Sequence, residues 1–216
     1  MASPISHIIY AKKYFEKNPS NINKDEFILG CLFPDIRRVS ENIKRKDTHI
    51  PDEILKKSNI QENTNPINMD FTGLTAFQAG WKFHIYCDMK REELLKNKKF
   101  YSLEDTSAFE SLPAKYLEDE LLYDQYNNWE KIYLYFNNAP EVDLDIYVPR
   151  ETFEFWYAIL AKYIERKPDK KSQHIFFTKQ FFLKDRADEI VDAIEKLRKN
   201  EKVINILKNI SEEILK

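Results

Sequence analysis

Scarcity of glycine is the feature that most constrains the fold of this chain, which has three glycines in 216 residues. An average globular protein contains about 7% glycine. Phosphate-binding loops and dinucleotide-binding turns need several clustered glycines, because the backbone must approach the phosphate closely. The sequence therefore excludes these nucleotide sites, and a chain so poor in glycine is typically helical.

Helical signals run along most of the chain. Ser3 and Pro4 predict the start of a first helix that ends near residues 18–19, and a second helix begins after Asn23 and ends near Gly30 or Cys31. Apolar periodicity predicts further helices over residues 51–57, 74–96, 113–137 and 150–166, and helix throughout 170–215 with a turn near Asn200. Strand signals are few, and the predicted class is an all-α, single-domain multi-helix bundle.

Charge and apolar content limit the classes of partner. The 34 basic and 36 acidic residues leave a net charge of −2, which gives no support for general nucleic-acid binding. No run approaches the roughly 18 apolar residues of a membrane span, and no signal-peptide pattern is recognised at the N-terminus. We expect a cytoplasmic protein in which Cys31 and Cys87 are buried, reduced packing residues.

The strongest local motif is the pair His84 and Asp88. Residues four apart lie on the same face of a helix, so the two side chains can supply two ligands to one metal ion. A core histidine that is hydrogen-bonded to a neighbouring carboxylate is the competing interpretation. Gly80 precedes the pair on the same stripe and leaves room for a second helix to approach.

Two other histidines and one carboxylate carry weaker individual signals. His7 lies among isoleucines, where a lone histidine is more often a core residue, and His49 lies in a polar segment. Asp35 follows Pro34 at the end of an apolar helix, as an ordinary turn residue would. Three imidazoles and two carboxylates together suit a divalent cation such as zinc. We therefore predict a metal site formed by His7, Asp35, His49, His84 and Asp88.

Four segments in order resemble the zinc-dependent phospholipase C superfamily, in its small bacterial branch. They are the first helix with His7, the stretch 29–36 (LGCLFPDI), the dipeptide 48–49 (TH) and the stretch 79–88 (AGWKFHIYCD). The resemblance covers roughly the first 90 residues. It implies the all-helical phospholipase C / P1 nuclease fold, with zinc held by the corresponding histidines and aspartates. Residues 1–96 would then form the metal-site half of the domain, and about 103–216 the aromatic and C-terminal helices.

The sequence also departs from that family. Secreted members carry a further histidine and a His-x₃-Glu pair on a later helix, which complete a three-metal cluster. The remaining histidine here is His174, which has no glutamate four residues later and is expected to be structural or exposed. Secreted members also use a free N-terminal amine as a ligand, which removal of Met1 before Ala2 would provide here. We expect one or two Zn²⁺ ions, with another divalent metal as the alternative.

The predicted function is metal-dependent hydrolysis of a phosphoester, with phosphodiester bonds as the candidate substrate bonds, by activation of water at the His/Asp site. Asp35 would act as a ligand or as the base that accepts the proton of the water. Arg37 and Arg38 are candidates for holding the substrate phosphate, although two solvated charges are the more ordinary interpretation.

Two other functions compete with hydrolysis. The chain is alternatively a catalytically inactive, metal-stabilised scaffold or interaction protein, which the missing second cluster favours. An HD-type phosphohydrolase would need adjacent His and Asp, and no such dipeptide occurs.

The sequence does not specify the substrate, which would be a small phosphoester or a lipid, or the oligomeric state. Aromatic residues that could line a lipid or nucleobase pocket are more often core residues at helical spacing; they are Tyr123, Tyr126, Trp129, Tyr133, Tyr135, Trp156 and Tyr157.

Overall fold

The computed structural model describes residues 2–49, 69–106, 111–144 and 146–216. Within these ranges the chain forms ten α-helices and no β-strand, which confirms the all-α class. The helix predicted at 51–57 lies outside the described residues. None of the described helices is long and apolar enough to cross a membrane.

The α-helices are α1 (Pro4–Lys17), α2 (Lys24–Leu32), α3 (Arg45–His49), α4 (Ala76–Asn97), α5 (Leu112–Leu122), α6 (Trp129–Asn137), α7 (Arg150–Ile164), α8 (Lys170–Thr178), α9 (Ala187–Leu197) and α10 (Glu201–Glu213). A 3₁₀ helix, Phe33–Val39, continues directly from α2. The last two α-helices form the amphipathic pair predicted from the sequence, and Asn200 caps α10 by accepting hydrogen bonds from the backbone N–H groups of Lys202 and Val203.

The single helix predicted over residues 113–137 is wrong, because the structure divides this stretch into α5 and α6. A 3₁₀ turn, Tyr123–Gln125, ends α5. The indole N–H of Trp129 donates to the carbonyl of Tyr123 over 3.0 Å, and the two rings stack with centroids 4.7 Å apart. The aromatic spacing that suggested one continuous helix therefore serves to stabilise a turn. The prediction of helix throughout residues 170–215 is also wrong between α8 and α9, where the α-helical structure is interrupted.

Helices α2 and α4 pack so closely that no side chain could be accommodated at Gly30 or Gly80, where they cross. A Cβ atom at Gly30 would lie 2.0 Å from the carbonyl oxygen of Phe77, and one at Gly80 would lie 1.9 Å from the carbonyl oxygen of Phe27. Each glycine therefore accommodates the backbone of the other helix. This contact brings the carbonyl end of α2 next to the His84 side of α4.

Helix α7 covers the carbonyl end of α2. The last carbonyls of a helix lack partners within the helix. Trp156 donates from its indole N–H to the carbonyl of Leu32 over 2.9 Å, and the hydroxyl of Tyr157 donates to the carbonyl of Leu29 over 2.7 Å. Trp156, Tyr157 and Trp129 are buried, and Tyr123, Tyr126, Tyr133 and Tyr135 pack against the core, so the core interpretation of these aromatics is confirmed.

A buried ion pair joins α4 to α5. Arg91 donates from Nε to Oε2 of Glu118 over 2.7 Å, and both side chains are fully buried. The hydroxyl of Tyr10 on α1 donates to the other oxygen of Glu118. Because a buried charge is tolerated only when it is paired, this group fixes three helices relative to one another.

Asp119 on α5 holds the start of α1. Its Oδ1 accepts from the backbone N–H of Ser6 over 2.8 Å and lies 2.5 Å from the hydroxyl of Ser3. Tyr163 donates to Oδ2 over 3.2 Å. Ser3 is the N-cap residue, as the sequence indicates, but its hydroxyl bonds to α5 and does not accept from a backbone N–H of its own helix. Asp119 thereby positions the turn of α1 that carries His7.

The stability of the protein should depend on pH through Asp119. Burial raises the pKa of this carboxyl to about 6, although hydrogen bonds from Ser3 and Ser6 oppose the shift. The folded state therefore binds the proton more tightly than the unfolded chain. The contribution of this proton to the free energy of unfolding is complete below about pH 4 and is lost as the pH rises through about 6. Asp119→Asn keeps an acceptor oxygen and cannot ionise. The free energy of unfolding of Asp119→Asn minus that of wild type should be about 2–3 kcal/mol larger at pH 8 than at pH 4. Urea unfolding at both pH values measures this difference, and a difference that does not change with pH would contradict the assignment.

Candidate metal centre

The centre is organised around Asp88 on α4. His84, one turn earlier, places its Nε2 atom 3.5 Å from Oδ2 of Asp88. His84 is 1% exposed and Asp88 7% exposed, so both polar side chains are inside the protein. The pair lies on one helix face, as the spacing predicted.

A hydrogen bond to α2 orients His84. Its Nδ1 lies 2.7 Å from the carbonyl oxygen of Cys31. A carbonyl only accepts, so Nδ1 carries a proton, and in the tautomer that this bond selects Nε2 presents its lone pair towards Asp88. Metal-binding histidines in proteins are commonly oriented by such a bond. Cys31 and Cys87 are buried free thiols, as predicted.

His7 approaches Asp88 from α1. Its ring stacks on that of His84, with centroids 3.9 Å apart and planes 16° apart, and its Nε2 lies 3.4 Å from Oδ1 of Asp88. The possible ligand atoms of His7, His84 and Asp88 all lie within 4.8 Å of one another. The backbone nitrogen of Ala2 lies 2.5 Å from the same Oδ1 atom, which brings the start of the described chain into the centre.

His49 reaches the centre from the end of α3. Its Nε2 lies 3.8 Å from Oδ2 of Asp88 and 3.9 Å from Oδ1 of Asp35. The other ring nitrogen lies 2.9 Å from the hydroxyl of Thr48, and the carbonyl of Thr48 accepts a 2.5 Å hydrogen bond from the indole of Trp81 on α4. Trp81 therefore fixes the segment that carries His49 to the helix that carries Asp88.

Asp35 lies in the 3₁₀ helix that follows α2. Nε of Arg38 is 3.0 Å and Nη2 of Arg37 is 4.0 Å from its Oδ1 atom. Burial acts to raise the pKa of Asp35, but Arg38, Lys115 and Arg37 hold it well below its ordinary value. Asp35 is therefore an ionised carboxylate at neutral pH.

The structure brings all five predicted residues together. The two histidines that pack on His84, which are His7 and His49, are in the protonation state that binds a cation. Burial, and next His84, lower the pKa of His7 to about 4 and that of His49 to about 2. Both rings are thus neutral at pH 7, which is the form that binds metal. Nε2 atoms of His7, His49 and His84 are buried without a hydrogen-bond partner among the described residues.

The spacing of these atoms fits a metal ion. Two ligands of a tetrahedral zinc ion lie about 3.3 Å apart when their bonds are about 2.0–2.1 Å long. The nitrogen–oxygen separations around Asp88 are 3.4, 3.5 and 3.8 Å. A buried group of His7, His84 and Asp88 could hold a metal ion, and His49 and Asp35 adjoin it.

The centre lies at the wall of a cavity of about 1010 Å³ that Asp88 helps to line. Of the described lining residues two are acidic, Asp88 and Glu92, whereas the cationic ones are Arg37, Arg38, Arg45, Lys96, Lys115 and Arg186. A cavity with this lining suits an anionic ligand.

The two arginines after Asp35 are not the solvated charges that composition alone favoured. Arg38 is 5% exposed and also donates to Oε1 of Gln180 over 3.3 Å. Arg37 is partly buried, and both line the cavity. Both arginines turn inward because they pair with the buried carboxylate of Asp35, which precedes them in the chain.

Lys115 is a residue of the cavity that the sequence did not single out. It lies on α5 and is 2% exposed. Burial, and next Arg38, lower its pKa to about 7. The available signal was weak, because Lys115, Glu118 and Asp119 share one helix face that resembles an ordinary solvated face. His174, in contrast, is partly exposed and pairs with Asp188 over 3.1 Å, so it belongs to the surface, as expected.

Comparisons with protein-family models, with curated proteins and with solved structures found no match for this chain.

Proposed function

We propose that this protein is a zinc-dependent phosphoester hydrolase of the phospholipase C-like type. The observation that carries the proposal is the convergence of three buried imidazoles on Asp88, at the wall of a cavity whose described charged lining residues are mainly cationic. A neutral-imidazole and carboxylate set suits zinc. A cationic cavity beside it suits the phosphate group of a substrate.

His7, His84 and Asp88 would hold one ion, and His49 with Asp35 would complete its coordination or hold a second ion. When bound, zinc supplies a Lewis acid that lowers the pKa of water and polarises a phosphoryl oxygen. The bond from His84 to the carbonyl of Cys31 keeps its lone pair directed at the site. The backbone nitrogen of Ala2 would be an additional ligand only as a free amine, after removal of Met1.

Asp35 has two possible roles, ligand and base. A carboxylate whose pKa is held low by Arg38, Lys115 and Arg37 is a weak base. Its position 3.9 Å from Nε2 of His49 supports the role of ligand. Arg37 lines the cavity, where its guanidinium could contact the phosphate.

Asp35→Asn should separate these roles. The amide keeps the shape of the side chain and loses its charge, so we expect weaker zinc binding together with a loss of kcat/KM on the order of 100-fold. Zinc content by elemental analysis and hydrolysis of bis(p-nitrophenyl) phosphate and p-nitrophenyl phosphate measure the two effects. Retained zinc with lost hydrolysis would instead assign the base role to Asp35. Unchanged hydrolysis would exclude both roles.

A metal-stabilised scaffold without turnover is the second candidate. It is supported by the way the ligands join separate parts of the chain: α1, the 3₁₀ helix, α3 and α4. An ion here would cross-link these elements and raise the free energy of unfolding. Zinc-loaded protein that hydrolyses neither a phosphodiester nor a phosphomonoester would favour this candidate, and protein without zinc under zinc-replete conditions would overturn both.

A further inference from the structure

Lys115 is a buried cation whose partner is absent from the described part of the chain. Its Nζ atom makes no hydrogen bond to any described residue, and it lies 5.5 Å from the centroid of the ring of Tyr116. A buried ammonium without a partner costs several kcal/mol in typical proteins. Arg91, a neighbouring buried cation, is by contrast paired with Glu118 over 2.7 Å.

The charges around Lys115 do not balance. It acts electrostatically on Arg38, Asp35 and Asp88, and Arg37 adjoins the same group. With Lys115 charged, and with Arg91 neutralised by Glu118, the three cations and two carboxylates leave one positive charge in excess, and a divalent ion would raise the excess to three. Loss of the proton of Lys115, whose pKa burial lowers to about 7, relieves part of this excess, whereas an anion in the cavity would balance it with Lys115 still charged.

We infer that Lys115, together with Arg37, binds the oxygens of a substrate phosphoryl group at the inner wall of the cavity, beside the metal ligands. Both residues line the cavity, and so does Asp88, which marks the edge of the metal centre. A lysine ammonium binds phosphate as a point charge with three donors, whereas the arginine supplies a planar pair of donors. The inference rests on the proposed function, because it assigns the phosphoryl group of the same site.

The test uses inorganic phosphate as the probe, measured by isothermal titration calorimetry on chelator-treated and on zinc-loaded protein. Lys115→Met keeps the length of the side chain and removes the charge. We expect it to weaken phosphate binding by about 10- to 100-fold, the loss expected for a hydrogen bond to a charged group. Lys208→Met, which changes an exposed lysine of α10 outside the cavity lining, should leave the affinity unchanged.

Thermal unfolding gives a second readout. Phosphate should raise the Tm of wild type and of Lys208→Met, but not that of Lys115→Met. An equal phosphate-induced rise in Lys115→Met and wild type would overturn the inference. If Lys115→Met does not fold, the ¹³Cε resonance of Lys115 in wild-type protein decides, because it should move on addition of phosphate, and a resonance that stays in place would overturn the inference.

The two proposals fail separately. Protein that binds phosphate through Lys115 but hydrolyses no phosphoester overturns the proposed function and supports the anion site. A zinc-dependent hydrolase whose phosphate affinity is unaffected by Lys115→Met supports the proposed function and overturns the anion site.

Discussion

Replacing Asp88 by asparagine is expected to weaken zinc binding by roughly 100-fold or more, the largest effect on metal among single substitutions at the centre. Among the described residues, Asp88 is the carboxylate that lies near all three histidines, with Oδ1 3.4 Å from His7 and Oδ2 3.5 and 3.8 Å from His84 and His49. The amide preserves packing but removes the negative charge that faces the cation.

Elemental analysis and competition with a chromogenic zinc chelator measure the affinity. Removal of zinc with EDTA should lower the Tm of wild type and leave that of Asp88→Asn nearly unchanged. Asp188→Asn is the matched control, because Asp188 also pairs with a histidine, His174, but at the surface. Equal zinc content in Asp88→Asn and wild type would exclude Asp88 as a ligand.

Replacing Gly80 by alanine is expected to cost about 3–5 kcal/mol of the free energy of unfolding, or to leave no folded protein. The added Cβ would lie 1.9 Å from the carbonyl oxygen of Phe27. That atom belongs to the backbone of α2, so relief of the clash requires the helices to separate. Separation would also lengthen the bond from His84 to the carbonyl of Cys31, and zinc affinity should fall with stability.

Ala76→Gly is the control, since it exchanges the same two residue types in the first turn of the same helix. It should cost no more than about 1 kcal/mol. Urea unfolding of both variants and wild type, with zinc content measured in parallel, tests the prediction. A loss below about 1 kcal/mol in Gly80→Ala would mean that α2 and α4 do not make the close contact that orients His84.

Local features of the sequence were enough to predict most helices and the firmest part of the site. His84 and Asp88 are four residues apart on one helix, and this spacing alone places them on one face. The division between α5 and α6 was not predicted, because stacking of Trp129 on Tyr123 stabilises a turn within an aromatic pattern that also fits a helix. The resemblance to the phospholipase C superfamily remains a prediction.

Short-range patterns in the sequence define the helical class, the capped and amphipathic segments, the pair His84–Asp88, and the two glycines that permit a close helix crossing. Packing of the helices, in contrast, brings His7, His49 and Asp35 to that pair, turns Arg37 and Arg38 inward, and places Lys115 of α5 at the cavity. This difference arises from the distance along the chain over which each effect acts, because helix periodicity and capping act over only one or two helical turns. The positions of charges 30 to 80 residues apart depend on which helix faces pack together, and buried polar faces have the same local pattern as solvated ones.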